Sequence, residues 1–423
     1  MKTVTFPYGK AKMSYTFREE ELSAVLTSSV EGYVPQMGEE ELVEQAMANP
    51  VGSAPLWELA KGKKKVVIIA SDHTRPVPSR VIMPPMLREI RKGNPDADIT
   101  ILIATGCHRE TTREELIGKF GEEIVKNEKI YIHDCLDEDM LTDIGVLPSG
   151  SRCRINSLAA EADLLVAEGF IEPHLFAGFS GGRKSILPGV SGRETVLANH
   201  CSEFIAHPAS RTGILEGNPV HEDMLWAAKA ANLCYIVNVV LNGEKKVIYA
   251  VAGDVEAAHK SGTDFLSGLC GVKRVEGDIV ISTNGGYPLD QNVYQAVKGM
   301  TAAEASVKDG GVIIMLSSSA DGTGGDHFYH NLADYTVEES MRNFLSRSRQ
   351  ETAPDQWQSQ ILARILLKAR VIYVSEMPND MVEALHMIPA HSLEEAMDIA
   401  REMAGAQAKV VAIPDGVAVM VLP

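Results

Sequence analysis

Long apolar runs are missing from this chain. No stretch approaches the roughly 18 consecutive apolar residues of a membrane-spanning helix, so a membrane protein built from helical spans is excluded. Positive charge is in deficit: Lys and Arg number 40 against 57 Asp and Glu, a formal net charge of −17. No basic stripe of the kind that phosphate backbones require is visible, which argues against a nucleic-acid groove and makes any anion site local. The six cysteines, Cys107, Cys135, Cys153, Cys201, Cys234 and Cys270, form no CxxC pair. That disfavours a zinc knuckle and a disulfide framework and leaves most of them as small buried hydrophobes. The amino terminus, MKTVTFPYGKAKMSYTF, lacks the charged head and continuous apolar core of a signal peptide, so a cytoplasmic location is expected. Low-complexity segments and internal repeats are likewise missing.

What is present is an ordinary globular composition. With 423 residues, 45% of them hydrophobic, the chain can bury a large core and has the length of two or three domains. VTFPYG and KMSYTF alternate apolar positions around a Pro-Tyr-Gly turn and predict a hairpin. The runs at 63–70, 97–104 and 162–169 are short and aliphatic, and VIMPPMLREIRKG and TREELIGKFGEEIVKN between them have helical character. A second such set follows, at 278–283, 310–316 and 370–376. Continuous apolar strands alternating with helices imply mostly parallel sheets covered on both faces. The expected fold is α/β, with two α/β domains and an active site in the cleft between them. The expected division is residues 1–270 and 271–413, with 414–423 a candidate to return to the first domain.

Ligands of open α/β sheets bind beyond the carboxyl ends of the strands. The residues there are polar: SDHTRPVP (71–78), TGCHRE (105–110), FIEPHLFAGFSGGRK (170–184) and TNGGYPLDQNVYQ (283–295). The loop FAGFSGGRKSILPG admits three readings. A phosphate-binding P-loop needs glycine immediately before its Lys-Ser pair, and Arg183 stands there, so that reading fails. A looser anion site made of the Gly181 and Gly182 N–H groups with Arg183 stays open. Gly178-Phe179-Ser180-Gly181-Gly182 matches the G-x-S-x-G elbow of serine hydrolases, although Pro188, Gly189 and Gly192 make a poor helix after it. The third reading is a lysine, Lys184, that carries a group covalently.

Of the histidines, His133, His207, His221, His259, His386 and His391 have the pattern of structural residues. His108 and His174 each follow a strand of one sheet, where two imidazoles facing one substrate can exchange a proton from either side. His200, closing ETVLANH, suits a metal ligand or a helix-terminal residue. Arg75 is fixed near the sheet edge by Pro76 and offers a planar fork to a carboxylate or phosphate. Tyr294, Gln295 and Lys298 fall on one face of a helix.

These blocks, SDHTRPVP, ATGCHRE, HLFAGFSGGRKSILPG followed by ANH, and NGGYPLDQNVYQAVKGMTAAEA, resemble the lactate racemase family over nearly the full chain. The resemblance implies a racemase of 2-hydroxy acids that uses nickel held by pyridinium-3,5-bisthiocarboxylic acid mononucleotide, the nickel-pincer nucleotide. It implies that Lys184 is the covalent attachment point, His200 the protein ligand to nickel, and His108 and His174 the acid/base pair. It further assigns Arg75, Tyr294, Gln295 and Lys298 to the substrate, with Asp72, Thr74 and Arg75 facing the cofactor. The implied partners are a small 2-hydroxy acid such as lactate and the enzymes that make the cofactor. A hydrolase using Ser180 and a non-catalytic carrier of the nickel nucleotide are the alternatives.

Overall fold

The computed structural model describes residues 1–422, and the chain forms two compact units. The first holds residues 30–199 and 209–268; the second holds residues 1–29, 200–208 and those from Leu269 onward.

The first unit is built on a six-stranded sheet in the order Val247–Gly253, Leu233–Leu241, Leu164–Phe170, Lys65–Ser71, Asp98–Ala104, Lys129–Ile132. All neighbours are parallel except the first pair. Every residue of Leu164–Phe170 is buried, as a strand covered on both faces requires. Ile68 lies between Val166 and Ile101 in register. Helix Ser79–Gly93 lays Ile82, Met83, Met86, Leu87 and Ile90 on one face of the sheet, the spacing of a wide apolar stripe. TREELIGKFGEEIVKN is not one helix: Gly121 adopts φ +89, and the segment splits into Arg113–Phe120 and Glu122–Asn127. That backbone conformation is one glycine adopts at little cost.

The second unit has a six-stranded, wholly parallel sheet in the order Ile388–Ala390, Arg370–Val374, Val307–Leu316, Gly277–Thr283, Val410–Ile413, Leu22–Val25. Helix Leu393–Ala404 buries Leu393, Ala396, Met397 and Ala400 on it.

The boundaries differ from the sequence expectation in three places. Residues 1–29 belong to the second unit, because the hairpin Lys2–Tyr8 and Ala11–Phe17 buries Val4, Phe6 and Phe17 in that core and Leu22–Val25 extends its sheet. Residues 200–208 also belong there, where Gln360 Nε2 donates to the Ser202 carbonyl at 2.9 Å. The carboxyl end does not return to the first unit, since Met420–Leu422 pairs with Gly271–Lys273 of the second. Among the described residues, no helix is long and apolar enough to cross a membrane.

Candidate active site

Along the first unit's sheet, chain order reverses between Leu164–Phe170 and Lys65–Ser71. At such a switch point the outgoing loops diverge and leave a crevice at the carboxyl edge. The loops after Ser71, Ala104 and Phe170 carry Asp72, Thr74, Arg75, His108 and His174 to this edge.

Four of these residues are tied together. Asp72 is buried, and its Oδ2 lies 2.7 Å from His108 Nδ1. Its Oδ1 accepts from the Thr74 backbone N–H at 3.1 Å and from Thr74 Oγ1 at 2.7 Å. Arg75 Nη1 donates to Thr74 Oγ1 at 3.1 Å. Burial by itself would raise the Asp72 carboxyl, but the hydrogen bonds from His108 and Thr74 and the charge of Arg75 together hold it below its ordinary value. An ionised Asp72 assigns the His108 proton to Nδ1, so Nε2 presents a lone pair. The His108 side chain is 44% exposed and open to a substrate.

His174 has the opposite arrangement. It sits in a two-residue ladder with Gly178, and its Nδ1 accepts from the Ala177 N–H at 3.3 Å. A neutral His174 therefore carries its proton on Nε2. Its ring meets the buried Phe176 edge-on, with centroids 4.6 Å apart, and Lys184 Nζ stands 5.9 Å from the centroid of the same ring. Phe176 thus holds His174 and Lys184 around one aromatic surface.

The second unit carries the remaining four predicted residues. Helix Val293–Ser306 starts at Asn292, whose side chain accepts from the Gln295 N–H at 3.0 Å. Tyr294, Gln295 and Lys298 lie half-buried on one face of it, and the Tyr294 ring meets Phe328 at 5.5 Å. His200 is buried and T-shaped to Trp357, with centroids 5.1 Å apart. Among the described residues, no three His, Cys, Asp or Glu side chains converge as a metal site. A metal on His200 would thus take its other ligands from outside such a side-chain cluster.

Models of the lactate racemase N-terminal and C-terminal domains match residues 8–213 and 272–421. The chain is 52% identical over 423 residues to a lactate racemase of Thermoanaerobacterium thermosaccharolyticum, covering 100% of this chain and 99% of the relative. It is also 52% identical over 423 residues to a lactate racemase of Lactiplantibacillus plantarum, covering 100% of both chains. The chain belongs to the lactate racemase family. It is accordingly an enzyme of the isomerase class, a racemase. The solved lactate racemase apoprotein from T. thermosaccharolyticum has the same fold, with a TM-score of 0.96, 51% identity and 100% coverage of both chains.

Within this family member the glycine-rich loop works differently from two of its sequence readings. Arg183 is no anion ligand. It is buried, and its guanidinium donates to the carbonyls of Ala177 at 2.7 Å and Phe179 at 2.8 Å and to His221 Nδ1 at 3.0 Å. Burial lowers its pKa to about 9. The Gly182 N–H is also taken, by Asn238 Oδ1 at 2.8 Å. A Cβ on Gly181 would stand 2.8 Å from the Phe170 carbonyl, and one on Gly182 would stand 2.8 Å from the His259 ring. These glycines admit protein packing rather than a phosphate. Ser180 is no raised nucleophile either: its hydroxyl donates to the Phe170 carbonyl at 3.0 Å and accepts from the Glu172 N–H at 2.9 Å. The loop is a rigid pedestal for Lys184, stapled from within by Arg183.

Sequence reasoning passed over the residues that support the site. Lys119 Nζ donates to the carbonyls of Arg75 at 3.3 Å and Val77 at 3.4 Å, fixing the loop that presents Arg75. Burial lowers the Lys119 pKa, opposed by the charges of Glu168 and Asp72. Glu168 is wholly buried and its pKa is raised by that burial; Ser79 Oγ donates to its Oε1 at 2.5 Å. Phe176 and Trp357 are aromatic neighbours of His174 and His200, and nothing in their spacing marks them. A carboxylate directly after a strand, in the loop beside that of His108, was the available sign that Asp72 orients a histidine.

Proposed function

We propose that this chain interconverts D- and L-lactate, or a similar short 2-hydroxy acid, and that His108 and His174 move the hydroxyl proton. The observation that carries this reading is the Asp72–His108 hydrogen bond of 2.7 Å, with His174, on the loop after a strand of the same sheet, held in the opposite tautomer. The two relatives named lactate racemase support the choice of lactate.

The α-hydrogen of a 2-hydroxy carboxylate is hard to remove as a proton, because the adjacent carboxylate already bears the charge that would have to grow. Removal as hydride is easier and needs an acceptor. A nickel-bearing pyridinium nucleotide, attached to Lys184 and ligated by His200, supplies that acceptor when bound. Asp72, Thr74 and Arg75 border the place we assign to it, and enzymes that make the nucleotide in the cytoplasm would be the maturation partners.

The chain's own residues then do the following. Arg75 and Lys298 hold the substrate carboxylate, aided by Tyr294 and Gln295. His108 Nε2 takes the hydroxyl proton, and the resulting imidazolium is stabilised by Asp72. His174, with its proton on Nε2, donates a hydrogen bond to substrate oxygen. It becomes a base only when that proton moves to Nδ1, which breaks its bond with the Ala177 N–H. The two histidines therefore play unequal parts on the two faces.

Substrate labelled with deuterium at the α-carbon tests the reading. In ordinary water the racemised product is expected to keep its deuterium. Wash-out into solvent would refute hydride transfer and replace it with a two-base proton mechanism. An intact mass of protein made beside the cofactor-synthesis enzymes, with Lys184→Ala as control, checks the attachment separately.

A further inference from the structure

Helix Gln356–Lys368 of the second unit opens with Gln-Trp-Gln-Ser-Gln, and Gln356, Gln358, Ser359 and Gln360 are all buried. A helix face turned into a core is ordinarily apolar, and a buried amide is unfavourable unless its hydrogen bonds are met. Gln356 Nε2 and Gln360 Oε1 meet no partner among the described residues. What the other polar atoms reach is the surroundings of the site. Gln358 Nε2 donates to the Tyr294 carbonyl at 2.5 Å, using a lone pair that the helix Val293–Ser306 leaves over. The Ser359 hydroxyl lies 3.4 Å from the carbonyl of Phe328, whose ring meets that of Tyr294. Gln360 Nε2 donates at 2.9 Å to the carbonyl of Ser202, two residues after His200, and the Trp357 ring meets the His200 ring. Positions 357 and 360 share a helix face, and 358 stands about 200° around the axis from 360. The helix therefore lies between the His200 segment on one side and helix Val293–Ser306 on the other. Its start is pinned by Arg347 Nη1, which donates to Gln356 Oε1 at 2.6 Å.

We propose that Gln358 and Gln360 are positioning residues, Gln358 for Tyr294 and its helix neighbours Gln295 and Lys298 at the substrate, and Gln360 for His200 at the metal. Each acts through the backbone carbonyl of another residue. Loss of the Gln358 bond frees the first turn of helix Val293–Ser306, where Tyr294 and Gln295 stand, and weakens the hold on substrate. Loss of the Gln360 bond frees the backbone just after His200 and weakens the hold on metal. Side chains that only filled space would give neither selective effect. The assignment of Tyr294 to substrate and His200 to nickel rests on the racemase reading proposed above; the two hydrogen bonds do not.

Gln358→Met and Gln360→Met keep the side-chain length and remove the donor. In the cofactor-loaded full chain, Gln358→Met should raise the KM for lactate about tenfold, the scale of one lost hydrogen bond, with kcat and nickel content near wild type. Gln360→Met should leave KM near wild type and speed nickel loss to a chelator about 10–100-fold, the usual effect of releasing the support of a metal ligand. Ile365→Val, a buried change farther along the same helix, lowers stability and should move neither. If a Met variant does not fold, Gln358→Asn or Gln360→Asn, which keeps the amide and loses its reach, takes its place. Unchanged KM in the Gln358 variant removes Gln358 from this role, and unchanged nickel loss in the Gln360 variant removes Gln360. If both variants alter both quantities alike, as general destabilisation would, the proposal fails. Ring NMR signals of labelled His and Tyr, recorded on the full chain expressed without the cofactor-making enzymes, read position without turnover. Gln360→Met should shift the His200 signal and leave Tyr294, and Gln358→Met should do the reverse; unmoved signals would overturn the proposal. Wild-type protein that neither racemises nor retains nickel would instead refute the racemase reading, while the ring signals still decide the positioning.

Discussion

Asp72→Asn changes one atom at the bond on which His108 depends. Asp72 Oδ1 accepts two hydrogen bonds from Thr74, at 3.1 and 2.7 Å, so in the variant that position must be taken by the amide oxygen. The amide nitrogen then faces His108 Nδ1 across 2.7 Å. Its N–H donates where a carboxylate used to accept. The imidazole responds by carrying its proton on Nε2, and the lone pair that takes the hydroxyl proton is gone. The expected loss in kcat is about 10²–10⁴-fold, the usual worth of a positioned general base, or about 3–5 kcal/mol of barrier. The site at Asp72 is buried and the change is nearly isosteric, so cofactor content and thermal unfolding should move little. The Asp72 carboxyl is held below its ordinary value, so the pair it forms is fully present above that value and is lost only as pH falls through the lower folded one. The deficit should therefore persist across the neutral and mildly acid range. Turnover is read by converting L-lactate and scoring D-lactate with a stereospecific dehydrogenase, alongside nickel per protein. A variant within about tenfold of wild type at equal nickel content would refute the assignment of His108 as an Asp72-oriented base.

Ser180→Ala should keep substantial activity while costing about 1–3 kcal/mol of stability, because it removes a buried hydroxyl that pairs with Phe170 and Glu172; loss of all activity with cofactor retained would restore the hydrolase reading. Lys119→Met should raise KM for the 2-hydroxy acid about tenfold, the scale of one lost hydrogen bond, with kcat less affected, since the Arg75 loop loses its clamp. Adding Glu168→Gln should recover stability but not KM, and recovery of both would make Lys119 merely structural. His221, pushed down to about 3 by burial and Arg183, and His259, pushed down for the same reasons, are neutral in the folded protein. Because the unfolded chain binds those protons near the ordinary 6.5, stability should fall as pH drops from there toward about 3; unfolding midpoints measured over that range in wild type and His221→Gln check it.

The sequence by itself determined the α/β class, since the continuous apolar runs at 63–70, 97–104 and 278–283 admit little but buried parallel strands. It also marked the strand exits where His108, His174 and Arg75 stand, because polar residues after such runs are local features. Strands Lys65–Ser71 and Asp98–Ala104 fall almost entirely within the first two of those runs. Only the tertiary structure decided the rest, and the reason is distance along the chain. Val4, Phe6 and Phe17 join a core whose other buried members begin at Ile279, which no local pattern announces. Asp72 and His108 are separated by 36 residues and meet only because their strands are neighbours. Arg183 had the composition of an anion ligand, and what made it a staple was desolvation: once buried, its donors had to be satisfied by the Ala177 and Phe179 carbonyls and His221. Residue type is written in the sequence, whereas burial and the identity of the nearest partner exist only once the chain has folded.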